Sequence, residues 1–298
     1  MLAVSYEGDI LKKENRTIKG IIIRSRSQEF TVLADNTEYL CVARGNLKIK
    51  DKKLITGDRV EFSKGVIESI YPRKTMITRP KAANIDCVNI VIATRPQPDY
   101  LLVDKMIVQC RKENIEVFIT VNKCDEDALT ANYVAKHYKD AVDGLFFVSA
   151  QTGVGIDLLK SALKNRFCCL AGQSAVGKTS ICNRLFEMDK KVNSLSDKTL
   201  RGRHTTTSRE IHYGDDLLII DTPGFSALDT YVESKHLHLY YKEFAEHNGK
   251  CYYIGCMHIE EPDCLVKDAL KDNLISKDRY DRYVAIFKEL KEYEKRKY

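Results

Sequence analysis

The sequence has no run approaching the roughly 18 consecutive apolar residues that a membrane-crossing helix needs, and its first stretch, MLAVSYEGDILKKENR, lacks the apolar core of a secretory signal. A cytoplasmic protein with no membrane partner is the expectation. Internal repeats and low-complexity tracts are missing as well. With no obvious heptad and no large apolar face in the pattern, a monomer is expected. Neither charge sign dominates: 48 basic residues against 42 acidic ones give a net charge of +6. So mild a surplus suits a polyanionic partner, and suits a lysine-rich solvated surface equally well.

What is present describes a folded protein of more than one domain. The 298 residues exceed the usual size of a single domain, and 44% hydrophobic with 30% charged residues is ordinary for a globular chain. Of the ten cysteines, Cys41, Cys87, Cys110, Cys168, Cys169 and Cys182 lie in apolar or mixed stretches and read as reduced core residues. Only Cys251, Cys256 and Cys264 form a spaced cluster.

Between Lys19 and Tyr71, short apolar runs alternate with turn residues (GIIIRS, EFTVLA, EYLCVAR, DRVEFS, GVIESIY), the pattern of a small antiparallel barrel or sandwich. The boundary near residues 72–83, around YPRKTMITRPKA, carries two prolines and several basic residues and reads as an exposed linker. The pattern then changes. CVNIVIATR and VFITVNK are nearly continuous apolar runs with an amphipathic segment between them, so an α/β domain with a parallel sheet is expected. LFFVSA, RFCCLAG, a helix from Lys178 and LLIID continue it. Beyond about Asp229 the strand pattern stops, leaving a helix, the cysteine cluster and a final charged helix over residues 277–297.

Three motifs carry the chemistry. GQSAVGKTS (Gly172, Gln173, Ser174, Ala175, Val176, Gly177, Lys178, Thr179, Ser180) follows an apolar strand and opens a helix, the context a phosphate-binding loop requires. Its backbone N–H groups and the helix N-terminus can cradle phosphates. Lys178 reaches the β and γ phosphates, and Thr179 places a hydroxyl where Mg²⁺ is ligated. DTPGF ends the LLIID strand: Asp221 can hold Mg²⁺ through water, and Gly224 can offer its N–H to the γ-phosphate. Between these, RHTTTS places a switch threonine, taken as Thr206 over Thr205 and Thr207. The bland alternatives, an Asx turn and a polar loop, lose ground beside a phosphate loop.

The base is named by NKCD (Asn122, Lys123, Cys124, Asp125) at the end of another apolar strand. The Asp125 carboxylate can accept both N1–H and N2–H₂ of guanine, a donor pair that adenine lacks. Asn122 would bond the guanine edge and tether nearby loops, and the stem of Lys123 would cover the base. Ser149-Ala150 fits the companion loop whose backbone N–H meets guanine O6. The guanine motif thus precedes the phosphate loop, a circular permutation of the usual order. Farther on, Cys251, Cys256, His258 and Cys264 match the Cys₃His set of structural zinc sites; chance clustering of core cysteines beside a surface histidine is the competing reading. Histidine and a count of four favour Zn²⁺ over an iron–sulfur cluster.

With RGNLKIK, TGDRVEF and IYPRKTMITRP upstream, the order NKCD, SA, GQSAVGKTS, RHTTT, DTPGF and the cysteine cluster resembles the RsgA (YjeQ) family of circularly permuted GTPases, from about residue 18 to at least 266. The resemblance implies an OB-fold RNA-binding barrel (1–72), a permuted P-loop GTPase domain with a mostly parallel sheet (73–228) and a helical zinc-binding domain (229–298). It implies GTP and GDP as substrate and product, Mg²⁺, one structural Zn²⁺, and the bacterial small ribosomal subunit with its rRNA as partner and stimulator. The segment before Lys19 is too short for a basic N-terminal extension, and Glu126 follows Asp125 where the family often has leucine. Phe225 stands where many GTPases place a water-orienting glutamine, so intrinsic turnover is expected to be slow, with His204 orienting the water once RNA orders the switches. Lys48, Lys50, Lys52 and Tyr71 are candidate RNA contacts. The short path from Gly224 to Cys251 suggests that nucleotide state moves the zinc module. A translation-type or tRNA-handling GTPase and an RNA-binding scaffold are the competing functions.

Overall fold

The computed structural model describes residues 17–26, 28–45, 53–78, 81–187, 211–221 and 232–297. Lys48, Lys50, Lys52, the RHTTTS segment with His204 and Thr206, and Gly224 and Phe225 lie outside the described residues. Two compact units result: one runs to Met76 and takes in Lys81–Asn84, and the other carries the rest.

The first unit is a closed barrel of β1 (Ile18–Arg26), β2 (Glu29–Ala34), β3 (Thr37–Ala43), β4 (Arg59–Ser63) and β5 (Val66–Ile70), in the order β1-β2-β3-β5-β4. Alternation aims one set of side chains inward, where Ile22, Val32, Cys41, Val60, Phe62 and Ile67 form the core. β1 closes the barrel on β4, and β3 pairs with β5 in parallel, so the ladder is not wholly antiparallel as the pattern suggested. The result is an OB-fold. Tyr71, a candidate RNA contact, donates its hydroxyl to Glu61 at 2.5 Å and shares its ring face with Lys19.

Segment 72–83 is a correction. It contains two short strands, β6 (Met76–Thr78) and β7 (Lys81–Ala83), and Ile77, Ala82 and Ala83 are buried. Asn84 secures its end on the barrel unit, donating from Nδ2 to Gly57 O at 2.9 Å and accepting from Lys74 N–H at 3.0 Å. Prolines and basic residues marked it as exposed, but its small apolar residues are spaced to pack.

In the second unit, β8 (Cys87–Ala93), β9 (Glu116–Asn122), β10 (Gly144–Phe147), β11 (Phe167–Ala171), β12 (Ile211–Gly214) and β13 (Leu217–Asp221) form a sheet of order β10-β9-β8-β11-β13-β12. Only β12 runs antiparallel to its neighbour. Every residue of β8 and β11 is buried, because both faces are covered. The surrounding helices are α1 (Tyr100–Lys112), α2 (Leu129–Tyr138), α3 (Ile156–Leu163) and α4 (Lys178–Leu185). The Asp99 carboxylate caps α1 by accepting from Leu102 N–H at 3.0 Å, and Arg111 and Lys112 complement its C-terminal dipole.

Past β13 the described residues hold no strand. Two 3₁₀ stretches, Ser234–Tyr240 and Lys242–Phe244, lead into the cysteine loop, followed by α5 (Leu265–Lys271) and α6 (Lys277–Lys297). Where one helix was read after residue 229, the chain makes these tighter turns instead. Val108 of α1 joins the buried cluster of Leu237, Phe244, Val266 and Tyr283, so this module packs on α1. Among the described residues no helix is long and apolar enough to cross a membrane.

Candidate functional site

From β8 the chain proceeds through β9 to β10, whereas from β11 it proceeds to the other side of the sheet. Beyond the carboxyl ends of β8 and β11, at this reversal, an open sheet leaves a crevice for ligands. The glycine-rich loop starts there. Gly172 has φ +126°, and a Cβ on it would stand 2.2 Å from Val91 O of β8, so only glycine fits. At the loop's far end Gly177 has φ +95°, and a Cβ would meet Asn122 Nδ2 at 2.3 Å.

Lys178, first residue of α4, is buried and donates from Nζ to Gly172 O at 2.9 Å and Gln173 O at 2.7 Å. Burial lowers its pKa, opposed by Asp221. Among the described residues its ammonium is thus held by these two loop carbonyls, which a phosphate could replace. Gln173 accepts from Asp99 N–H at 3.1 Å and donates to Gln97 O at 3.4 Å, joining the loop to the start of α1. Ser174 and Ala175 are exposed and Val176 is buried. The Thr179 hydroxyl donates to Asp221 Oδ2 at 2.8 Å, so two hard oxygen donors from α4 and β13 meet. Such a pair suits Mg²⁺.

On the base side, Asn122 ends β9 and is buried. Its Nδ2 donates to Val176 O at 2.9 Å and its Oδ1 accepts from Ala150 N–H at 3.0 Å, so one amide braces two loops. Within the Ser149-Ala150 loop, expected to offer a backbone N–H to guanine O6, the Ala150 N–H donates to Asn122. Lys123 has φ +63° and its Nζ donates to Arg95 O at 2.9 Å. Cys124 faces the protein, bonded through N–H to Val148 O at 3.1 Å and through Sγ to Val121 O at 3.2 Å. Asn122, Lys123, Asp125, Ser149, Ala150, Gly177 and Ser180 line a cleft of about 490 Å³. Glu126, Gln151, Asn183 and Arg184 also line it and were missed from the sequence. A signal existed: Asn183 and Arg184 stand three and four residues after Ser180, on the same helix face.

The cysteine loop is a second, separate site. Cys251, Cys256, His258 and Cys264 bring their ligand atoms within 4.8 Å of one another. Tetrahedral bonds of about 2.3 Å to sulfur and about 2.0 Å to nitrogen set those atoms about 3.5 Å apart. His258 Nδ1 lies 3.6, 3.4 and 3.3 Å from the sulfurs of Cys251, Cys256 and Cys264. Its Nε2, 3.2 Å from Asn248 Oδ1, can donate there and leave the Nδ1 lone pair for a metal. Burial depresses the imidazole pKa to about 4, which keeps the ring neutral. From α6, Tyr280 and Tyr283 donate hydroxyls to His258 O at 2.7 Å and Met257 O at 2.5 Å. Chance clustering would not aim four ligand atoms at one point.

An OB-fold barrel, a P-loop sheet whose guanine-type motif precedes its phosphate loop, and a Cys₃His loop define a circularly permuted GTPase. Comparison with known proteins agrees. A family profile described as RsgA GTPase matches residues 70–231, and one described as RsgA N-terminal domain matches residues 19–67. The small ribosomal subunit biogenesis GTPase RsgA of Thermotoga maritima is 35% identical over 91% of this chain and 96% of its own length. The crystal structure of YjeQ from Thermotoga maritima superposes with a TM-score of 0.80 at 31% identity, covering 92% of this chain and 99% of that one. YloQ, described as a circularly permuted GTPase, gives a TM-score of 0.78 at 24% identity over 93% of this chain and 96% of its own, which speaks to the fold. The chain belongs to the RsgA GTPase family. GTP hydrolysis follows from that membership.

Proposed function

We propose that the chain is a Mg²⁺-dependent GTP hydrolase, stimulated by the bacterial small ribosomal subunit, whose late maturation it assists by binding rRNA. The observation that carries this reading is Asn122, whose single amide ties Val176 of the phosphate loop to Ala150 of the base loop at a cleft that Asp125 lines. Asp125 accepts the N1–H and N2–H₂ of guanine there, and adenine would leave that carboxylate unpaired. The 172–180 loop takes the phosphates, with Lys178 exchanging its carbonyl partners for phosphate oxygens. Thr179 and Asp221 would hold Mg²⁺, which neutralises charge developing on the phosphates. His204, Thr206 and Gly224 keep their proposed roles in orienting water and binding the γ-phosphate. Cys251, Cys256, His258 and Cys264 would hold one Zn²⁺ in a closed shell, with a role in folding and none in hydrolysis.

The proposed layout is an RNA-binding barrel in 1–72, the GTPase domain in 73–228 and the zinc module in 229–298, in a cytoplasmic monomer. The relatives' name, small ribosomal subunit biogenesis GTPase, supports the partner. The test is GTP turnover with isolated small subunits, large subunits or tRNA, for the native chain and for Lys178→Ala. Stimulation by small subunits, lost in the variant, is the expected result. Stimulation by tRNA or large subunits alone would favour a translation-type or tRNA-handling GTPase, and binding without turnover would favour a scaffold.

A further inference from the structure

The base-side turn, residues 149–153, is held at nearly every polar group. Ser149 N–H donates to Val154 O at 3.0 Å and Gly153 N–H to Ser149 O at 2.8 Å. Ala150 N–H donates to Asn122 and Thr152 N–H to Ser149 Oγ, at 3.0 and 3.1 Å. One guanidinium takes two of the carbonyls: Arg184 donates from Nε to Ala150 O at 2.7 Å and from Nη2 to Gln151 O at 2.5 Å. Gln151 N–H is the one backbone donor of the turn with no hydrogen bond to a described residue, and Gln151 lines the cleft.

A trans peptide points its C=O and N–H in opposite directions. Ala150 O and Gln151 N–H belong to one peptide unit, so the bond that turns the carbonyl toward Arg184 turns the N–H away from it. The fixed fork of a guanidinium suits two successive carbonyls, which a single ammonium cannot hold equally. We propose that Arg184 is a positioning residue for base selectivity: from the phosphate-loop helix it sets the peptide that aims Gln151 N–H at the oxo group of a 6-oxopurine nucleotide. This deepens the guanine reading above and rests on it.

The experiment measures GDP, ADP and 2-aminopurine riboside diphosphate binding to the full chain, native, Arg184→Ala and Arg184→Lys, with thermal melting as a check on folding. The 2-aminopurine analogue keeps guanine's amino group and lacks its oxo group. Arg184→Ala is expected to weaken GDP about tenfold, the scale of a charge-assisted hydrogen bond, and to leave the analogue within about twofold. Arg184→Lys, able to hold one carbonyl, falls between. Equal weakening of both ligands, or of neither, overturns the positioning role. Should Arg184→Ala fail to fold, the GDP-to-analogue ratio in Arg184→Lys decides the same question. A native chain with no preference for GDP over ADP would instead overturn the guanine reading itself.

Discussion

Around the nucleotide cleft, loops are held by one or two hydrogen bonds between a side chain and the backbone: Asn122 to two loops, Gln173 to the start of α1, Arg184 to the base-side turn. Around the cysteine loop the ties are of another order, three thiols and an imidazole within 4.8 Å of one another while α6 is tied to α1 by buried charge. Arg279 is buried and pairs with Asp104 of α1 at 2.5 Å and Glu243 at 2.6 Å, and Arg282 pairs with the other oxygen of Asp104 at 2.5 Å. Burial works against the Arg279 charge, but Asp104 and Glu243 outweigh it and raise its pKa. Hydrogen bonds worth about 1 kcal/mol each can break and re-form as a ligand arrives. A metal shell and a buried ion network cannot do so without unfolding their surroundings. One region is therefore built to adjust and the other to stay put.

The largest effect expected from this contrast is metal removal. Structural Zn²⁺ contributes about 10–16 kcal/mol of apparent binding energy in small modules. Chelation, or Cys264→Ser, should strip one Zn²⁺ per chain and leave residues 232–297 open to limited proteolysis, while GDP binding stays within a few-fold of native. Unchanged protease resistance in zinc-free protein would remove the basis of the comparison.

Asp104→Ala comes next. It leaves Arg282 without its carboxylate and Arg279 with Glu243 alone, and breaking a buried pair costs about 3–5 kcal/mol. Thermal melting would read this loss, and replacing Asp104, Glu243, Arg279 and Arg282 together by apolar residues of like size should recover much of it. The same network bears on signalling. The chain order suggests that Gly224 moves the zinc module directly, yet the module is anchored to α1. Nucleotide-dependent motion of α6 must then carry α1 with it, and a spin-label distance between the two helices should be equal with GDP and a GTP analogue.

Contiguity decided what was legible. The glycine-rich loop, NKCD and the Cys₃His cluster each declare themselves within fourteen or fewer positions, because the chemistry needs neighbouring residues on one turn. The apolar strands before them gave the sheet. The braces could not be read this way: Asp104 and Arg279 are 175 positions apart, and nothing in either local sequence names the other. Arg184 was reachable only as the helix face following Ser180. Segment 72–83 misled because prolines and basic residues make up half of it, while its buried residues, Ile77, Ala82 and Ala83, are few.

Gly177→Ala probes the adjustable region. The φ of +95° strains any Cβ by about 1–3 kcal/mol, and the 2.3 Å approach would push Asn122 off Val176. Weaker nucleotide binding is expected, with a melting temperature lowered by only a few degrees, the scale of that strain in a chain of about this size. A large drop in melting temperature with normal binding would mean that the Asn122 brace is structural and that the cleft is as rigid as the zinc module.

The smallest effect belongs to the residue beside Asp104. Lys105 also joins α1 to α6, meeting Glu289 at 2.7 Å, a distance as favourable as any in the buried network. But the Glu289 side chain is 59% exposed, so water solvates the charges when they part and salt screens them when they meet. Exposed pairs of this kind are worth about 0–1 kcal/mol. Lys105→Ala should therefore shift the melting temperature by little, and by less still at high salt, whereas Asp104→Ala one position earlier keeps its full cost at any salt concentration. If the two variants respond alike, burial of the Asp104 network is not what fixes the module, and the division between an adjustable cleft and an anchored zinc loop loses its physical ground.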